Sequence, residues 1–274
     1  MHTVPYLALV AVLALAQGKP AADPLGVARQ AYNDQRYDAA IASATEARRI
    51  PATALPAAVV FARAHLERFR QSGETADLSD AREALKTIDA TKLGPRDQVE
   101  FLIALGESLY LDDQDTLDDR FAAAAELFEQ ALARAGELEL RDRDRLFEWW
   151  AQSLDQQAQQ APPAARAQVY DRIVKRAAED LARPEPTVAA SYWLAAASRG
   201  AEDPQRAWGA AVAGWTRAAS LGARGVGLRN DLDKLMLLVI LPERARQLTP
   251  GGDPRPALIL LEAQWTEFKK KWDR

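Results

Sequence analysis

Residues able to serve as nucleophiles, metal ligands or acid–base groups are few and scattered in this 274-residue chain. There is no cysteine, which excludes disulfides, thiolate metal sites, a cysteine nucleophile and a lipid-bearing lipoprotein cysteine. The histidines are His2 and His65. Removal of a leader would leave His65 alone, too few for a zinc site built on two histidines of one chain. His65 stands in the stretch FARAHLERF, no serine lies in a G-x-S-x-G turn, and the residue reads as a partly buried structural histidine. Carboxylates are plentiful, and Asp112, Asp113, Asp115, Asp118 and Asp119 cluster. A calcium loop needs a turn glycine and a bidentate glutamate at its twelfth position. This cluster has no glycine, and the twelfth residue counted from Asp113 is Ala124. It reads as a solvated insertion whose last aspartates cap a helix starting near Phe121. Gly222, Gly225 and Gly227 follow no strand and read as a turn between helices, not as a phosphate cradle. Catalysis by carboxylates alone requires burial or a close like charge, and the acids here fall mainly on helix faces and in the acidic loop. These residues predict no catalytic site, no cofactor and no resident metal.

Composition narrows the partners. The chain carries a net charge of −4 and a pI of about 5.4, with 48% apolar residues, many of them alanine. Such a balance gives no electrostatic reason to bind nucleic acid or an anionic membrane surface. The alanine content favours helices in close contact.

The first residues read as an export signal. Residues 4–16, VPYLALVAVLALA, form an apolar run shorter than the roughly 20 residues a spanning helix needs. Ala14-Leu15-Ala16 supplies the small-x-small cleavage pattern, and the chain turns polar at once afterwards. The expectation is a signal peptide over 1–16, a mature chain of 17–274 forming one domain, and an exported, periplasmic or secreted, soluble protein.

The rest of the sequence predicts helices. Amphipathic stretches run nearly end to end, interrupted by Pro, Gly and Asp clusters, and yield about twelve helices, most of them paired. One pattern recurs in the second helix of several pairs: a large residue, a small residue three later, a core residue four later, and another small or apolar residue three after that. It is seen at Tyr37, Ala40, Ala44, Ala47; at Leu78, Ala81, Leu85, Ile88; at Phe121, Ala124, Phe128, Ala131; and at Trp208, Ala211, Trp215, Ala218. Steps of three and four place each set on one helix face. The starts are 41, 43 and 87 residues apart, so a degenerate unit should lie in the last interval, where residues 163–182 read as a helix. Self-similarity of this kind marks a helical solenoid.

At these positions the chain resembles the tetratricopeptide repeat family. Leu105-Gly106 with Leu109, and Ala124 with Phe128, match that family's first and second helices. Val27-Ala28, Ala40 and Ala47, closed by Pro51, match another unit; Phe61-Ala62 with His65 match the first helix of the second unit along the chain. Two departures stand out: the loops inside the pairs read as long, and the period of about 43 exceeds the family's roughly 34. The expected fold is all-α, a right-handed solenoid of about five helix pairs over residues 23–221. Two further helices within 224–273 would cap it, the last with an apolar stripe of Leu258, Leu261, Trp265, Phe268 and Trp272.

The resemblance implies a binding scaffold whose concave face is lined by the first helix of each pair. Carried over, the groove residues are Arg29, Tyr32, Asn33, Arg63, Leu66, Glu67, Glu107, Tyr110 and Leu111. A protein or peptide partner is then expected, and no enzymatic activity. The alternative is a small-ligand receptor of a periplasmic uptake system, with an aromatic pocket near Trp150, Tyr192 and Trp193. Neighbouring residues on a helix point about 100° apart, so one member of Trp149-Trp150 and of Tyr192-Trp193 should lie at a seam between pairs or on the concave surface. An enclosed apolar cavity would favour the receptor; an open groove would favour the scaffold.

Overall fold

The computed structural model describes residues 23–112 and 119–272. The expected leader, with Ala14-Leu15-Ala16, lies outside the described residues, as do Asp113, Asp115 and Asp118 of the acidic loop. The described residues are helical and contain no strand. Thirteen α-helices follow one another: α1 Pro24–Asn33, α2 Tyr37–Ala47, α3 Ala54–Ser72, α4 Thr75–Lys86, α5 Pro95–Tyr110, α6 Arg120–Ala133 and α7 Leu140–Gln160, then α8 Pro163–Leu181, α9 Val188–Gly200, α10 Pro204–Ala218, α11 Ala223–Leu235, α12 Leu241–Leu248 and α13 Arg255–Trp272. No described helix is long and apolar enough to cross a membrane.

Local chemistry sets the ends. The Asp23 carboxylate accepts hydrogen bonds from the Leu25 and Gly26 amides, and Pro24 opens α1 where a missing N–H costs nothing. Thr187 and Asp203 cap α9 and α10 in the same manner. α3 stops at Gly73, whose φ of 73° few other residues adopt and whose amide donates to the Phe69 carbonyl. Asp119 occupies the position before α6, but its side chain makes no capping hydrogen bond, so the expected cap is absent.

Each helix from α1 to α10 packs against the next in the chain, as α12 does against α13, and successive odd-numbered helices from α1 to α11 also touch one another. The odd-numbered helices thus form a continuous row. The recurrent pattern supplies the interior: Tyr37, Ala40, Ala44 and Ala47 of α2 are buried, and so are Phe121, Ala124, Phe128 and Ala131 of α6. Leu78, Ala81 and Leu85 of α4 and Ala211, Trp215 and Ala218 of α10 are buried likewise. In α8, between α6 and α10, Tyr170, Ile173 and Ala177 take the inward positions. Both Trp149 and Trp150 are buried because they serve different neighbours. Trp149 meets Tyr110 of α5 and Phe128 of α6, and Trp150 meets Phe147 on its own helix.

Three expectations need correction. Loops inside the pairs are short, two or three residues in four of the five; the stretch 111–119 alone is long. The extended period comes instead from long helices, α3 and α8 with 19 residues each and α7 with 21. Second, Gly225 and Gly227 lie inside α11, not in a turn. Gly222 alone makes the turn, at φ 57° and ψ −133°. Gly225 is required because a Cβ there would stand 1.9 Å from the Ala218 carbonyl oxygen at the end of α10. Third, the first of the two helices expected within 224–273 is interrupted by a π-turn, Met236–Ile240, in which the Leu241 amide reaches back to the Met236 carbonyl. Pro242 explains it: a proline has no N–H to give to residue 238 and its ring collides with that carbonyl.

Candidate functional site

The odd-numbered row behaves differently in its two halves. On α1, α3 and α5 the groove positions are brought together, but they face one another. Tyr32, Arg63, Glu67 and Glu107 are each 5% exposed or less. The Arg63 guanidinium lies 4.5 Å from the Tyr32 ring centre, and Arg145 of α7 reaches the same ring at 5.7 Å. Arg29 pairs with Asp97, Arg96 donates to Glu100 at 2.9 Å, and Arg70 donates twice to Glu67. Salt-bridged side chains therefore fill this half, with Arg145 bridging α7 to α1. Both Glu107 carboxylate oxygens are buried without a hydrogen-bond partner. Burial pushes the Glu107 carboxyl up to about 8; Arg63 opposes the shift and Glu67 adds to it.

The remaining carried-over positions separate. Asn33 is half-buried beside Arg63 and Glu100. Leu66 is a core residue between α3 and α4, and Leu111 packs under the end of α5. Tyr110 alone of the nine reaches an open surface. Of the aromatic trio, Tyr192 and Trp193 border that same surface with rings 5.6 Å apart, whereas Trp150 is 1% exposed and belongs to the core. An aromatic pocket containing Trp150 is thus not formed.

The open surface is a cleft of about 1010 Å³ along α5, α7, α9 and α11. α7 contributes a face of Asp144, Glu148, Gln152 and Asp155, spaced by three and four residues, with Arg145 beside them. α9 contributes Val188, Tyr192 and Trp193; α11 contributes Arg224, Gly227, Asp231 and Lys234. The π-turn brings Leu238 to the wall, 74% exposed. Asp144 accepts from the Ala189 amide at 2.8 Å and so holds the start of α9. Glu148 accepts from the Trp193 indole at 2.9 Å and from Gln152 at 2.7 Å. Burial raises both carboxyls above their usual range, and these hydrogen bonds pull them back. Asp155 accepts from the Tyr170 hydroxyl at 2.8 Å.

The α7 face was missed in the sequence because a charged face on a long helix reads as ordinary solvated surface. The signal was the position of that face on a first helix, where the resemblance put binding residues.

His65 sits apart from the cleft. Its Nδ1 lies 2.6 Å from Asp77, 3% exposed, which also receives the Arg68 guanidinium; Arg68 in turn reaches Asp38 at 2.7 Å. Phe61 covers the imidazole at 4.3 Å. This network ties α3 to α2 and α4. Asp112, at the edge of the acidic loop, pairs with Arg82.

No protein-family model, curated protein or solved structure matches the chain.

Proposed function

We propose that the chain is an exported binding scaffold, not an enzyme, built as a right-handed solenoid of about five tetratricopeptide-like helix pairs with a C-terminal two-helix cap, and that it holds a peptide segment of a protein partner. The continuous row of odd-numbered helices supports the solenoid, as does the fit of small first-helix residues against second-helix aromatics. The observation that carries the function is the 1010 Å³ cleft, which is open and lies along four helices of that row. A small-ligand receptor would instead call for an enclosed, mostly apolar cavity. This cleft is open, and eight charged side chains stand among its aliphatic and aromatic ones. Its nearest approach to a catalytic pair is Asp144 with Glu148, one helical turn apart. Their oxygens are already engaged by Ala189, Trp193 and Gln152, which suits a fixed binding wall better than proton transfer.

The site of binding moves toward the C-terminal half relative to the sequence expectation, because the N-terminal half is closed by its own ion pairs. Selection from a random peptide library on the immobilised chain tests the proposal. Gly227 lies on the cleft wall, and a Cβ added there would meet nothing within 4 Å, so Gly227→Trp fills the cleft without strain in the helix. Peptides retained by the native chain and lost with Gly227→Trp are expected; a selection that yields none, or yields peptides indifferent to the substitution, overturns it.

A further inference from the structure

Building on the peptide-binding proposal above, we infer that the cleft selects a cationic side chain, a lysine ammonium or an arginine guanidinium, at a subsite formed by Tyr110, Glu148, Asp155, Tyr192 and Asp231. Four helices supply these five residues: α5, α7, α9 and α11. The two rings offer negative π-faces and the three acids offer charge, which together are the chemistry of cation recognition.

The decisive contrast is in how the acids are paired. In the closed N-terminal half, Asp97, Glu100 and Glu67 each meet an arginine. Glu148 and Asp155 instead receive hydrogen bonds from neutral donors only, from Trp193 and Gln152 and from Tyr170 and Gln159. Among the described residues neither is in an ion pair. Neutral donors fix a carboxylate in place without cancelling its charge, and each carboxylate keeps lone pairs to spare. Arg199 acts on Asp155 from outside contact, but neither acid has an ion-pair partner, so two oriented, half-buried acids on one helix face favour a cation that comes into contact with them.

The cleft is also zoned along its length. Arg141, Arg145 and Arg224 lie toward the start of α7 and α11, beside Asp144. The subsite lies one to three turns further along α7. There the groups whose charges act on the Tyr192 hydroxyl are Glu148, Asp231 and Asp155, acids without exception. Tyr110 feels Asp155 and Glu148, with Arg120 opposing them. Lys234 is the cation already at this end, but its Nζ stands 3.8 Å from Asp231 and its side chain is 72% exposed, so an incoming cation displaces it at small cost. Leu238 supplies an apolar wall for the aliphatic stem of the guest.

The test is calorimetric titration of three capped tetrapeptides into the full chain: tetralysine, the same peptide with every ε-amine acetylated, and tetraglutamate. Tetralysine is expected to bind, with acetylation and the glutamate series each weaker by about tenfold or more. Asp231→Asn, an exposed position, should weaken tetralysine, and Asp155→Asn with Asp231→Asn should weaken it further, circular dichroism confirming the fold. Gly227→Trp should abolish it. Equal binding of the acetylated peptide or of tetraglutamate overturns the cationic subsite while leaving peptide binding intact. So does a cleft-dependent library selection without lysine or arginine enrichment. Tetralysine binding that survives Gly227→Trp, or no tetralysine binding at all, also overturns it.

Discussion

Phe128 of α6 occupies the space where Gly106 of α5 would carry a side chain: a Cβ there would stand 2.6 Å from the ring. That close fit is one of the contacts that join α5 to α6. Phe128 is fully buried and Trp149 stacks on the ring at 6.2 Å, so the ring is held in place.

Gly106→Ala therefore sets two effects against each other. Removing a helical glycine gains about 1 kcal/mol, whereas overpacking a close contact costs about 1–3 kcal/mol. With the ring locked, overpacking wins, and chemical denaturation should show a net loss. Gly209→Ala in α10 is the control, because a Cβ there meets nothing within 4 Å. It should gain up to about 1 kcal/mol. Equal shifts at the two sites would count against the helix-pair packing described.

Glu107 makes stability depend on pH. Its folded carboxyl is raised from 4.5 to about 8 by burial, so the folded state keeps a proton that the unfolded chain releases. Stability is then highest below the unfolded value, falls as pH rises through that window and levels off above it. Glu107→Gln should flatten this slope in urea titrations run between about pH 5 and 9. An unchanged slope would show that Glu107 is ionised in the folded protein.

Asp77 acts in the opposite direction. Burial would raise its carboxyl, but the hydrogen bonds from Arg68 and His65 outweigh that and hold it below its usual range. Its contribution is present at neutral pH and is lost as pH falls through the depressed value. Asp77→Ala leaves His65 and Arg68 without their shared acceptor and should cost about 3 kcal/mol. A loss under about 1 kcal/mol would mean that solvent replaces the carboxylate at this site.

Export is tested by mass. Protein recovered from its native host should begin at Gln17, after Ala14-Leu15-Ala16. A soluble pool that retains Met1 would contradict the leader.

Much of the helical layout was legible because it is written in periodicity. Alanines at steps of three and four on α2, α4, α6 and α10 announced which faces are buried, and small–large partners such as Gly106 and Phe128 announced where helices meet. What stayed hidden depended on distant parts of the chain. Arg63, Glu67 and Glu107 look like exposed groove residues until α7 delivers Arg145 onto Tyr32 and closes that half. Trp149, by contrast, packs between α7 and the α5–α6 helices, as expected for one of two adjacent tryptophans, while Trp150 meets Phe147 on its own helix. The turn glycines misled for a related reason: Gly225 is small because of Ala218 on the preceding helix, a contact no local pattern encodes. Tyr170 of α8 was overlooked because isoleucine, not alanine, follows it three residues later.

The central claim is that the cleft along α5, α7, α9 and α11 is where a peptide binds. The most direct test is the affinity of library-selected peptides for the native chain, for Gly227→Trp inside the cleft and for Gly209→Ala outside it. Loss of binding with Gly227→Trp is expected, by about 100-fold or more, and native affinity with Gly209→Ala. Selected peptides that bind Gly227→Trp as tightly as the native chain would contradict it.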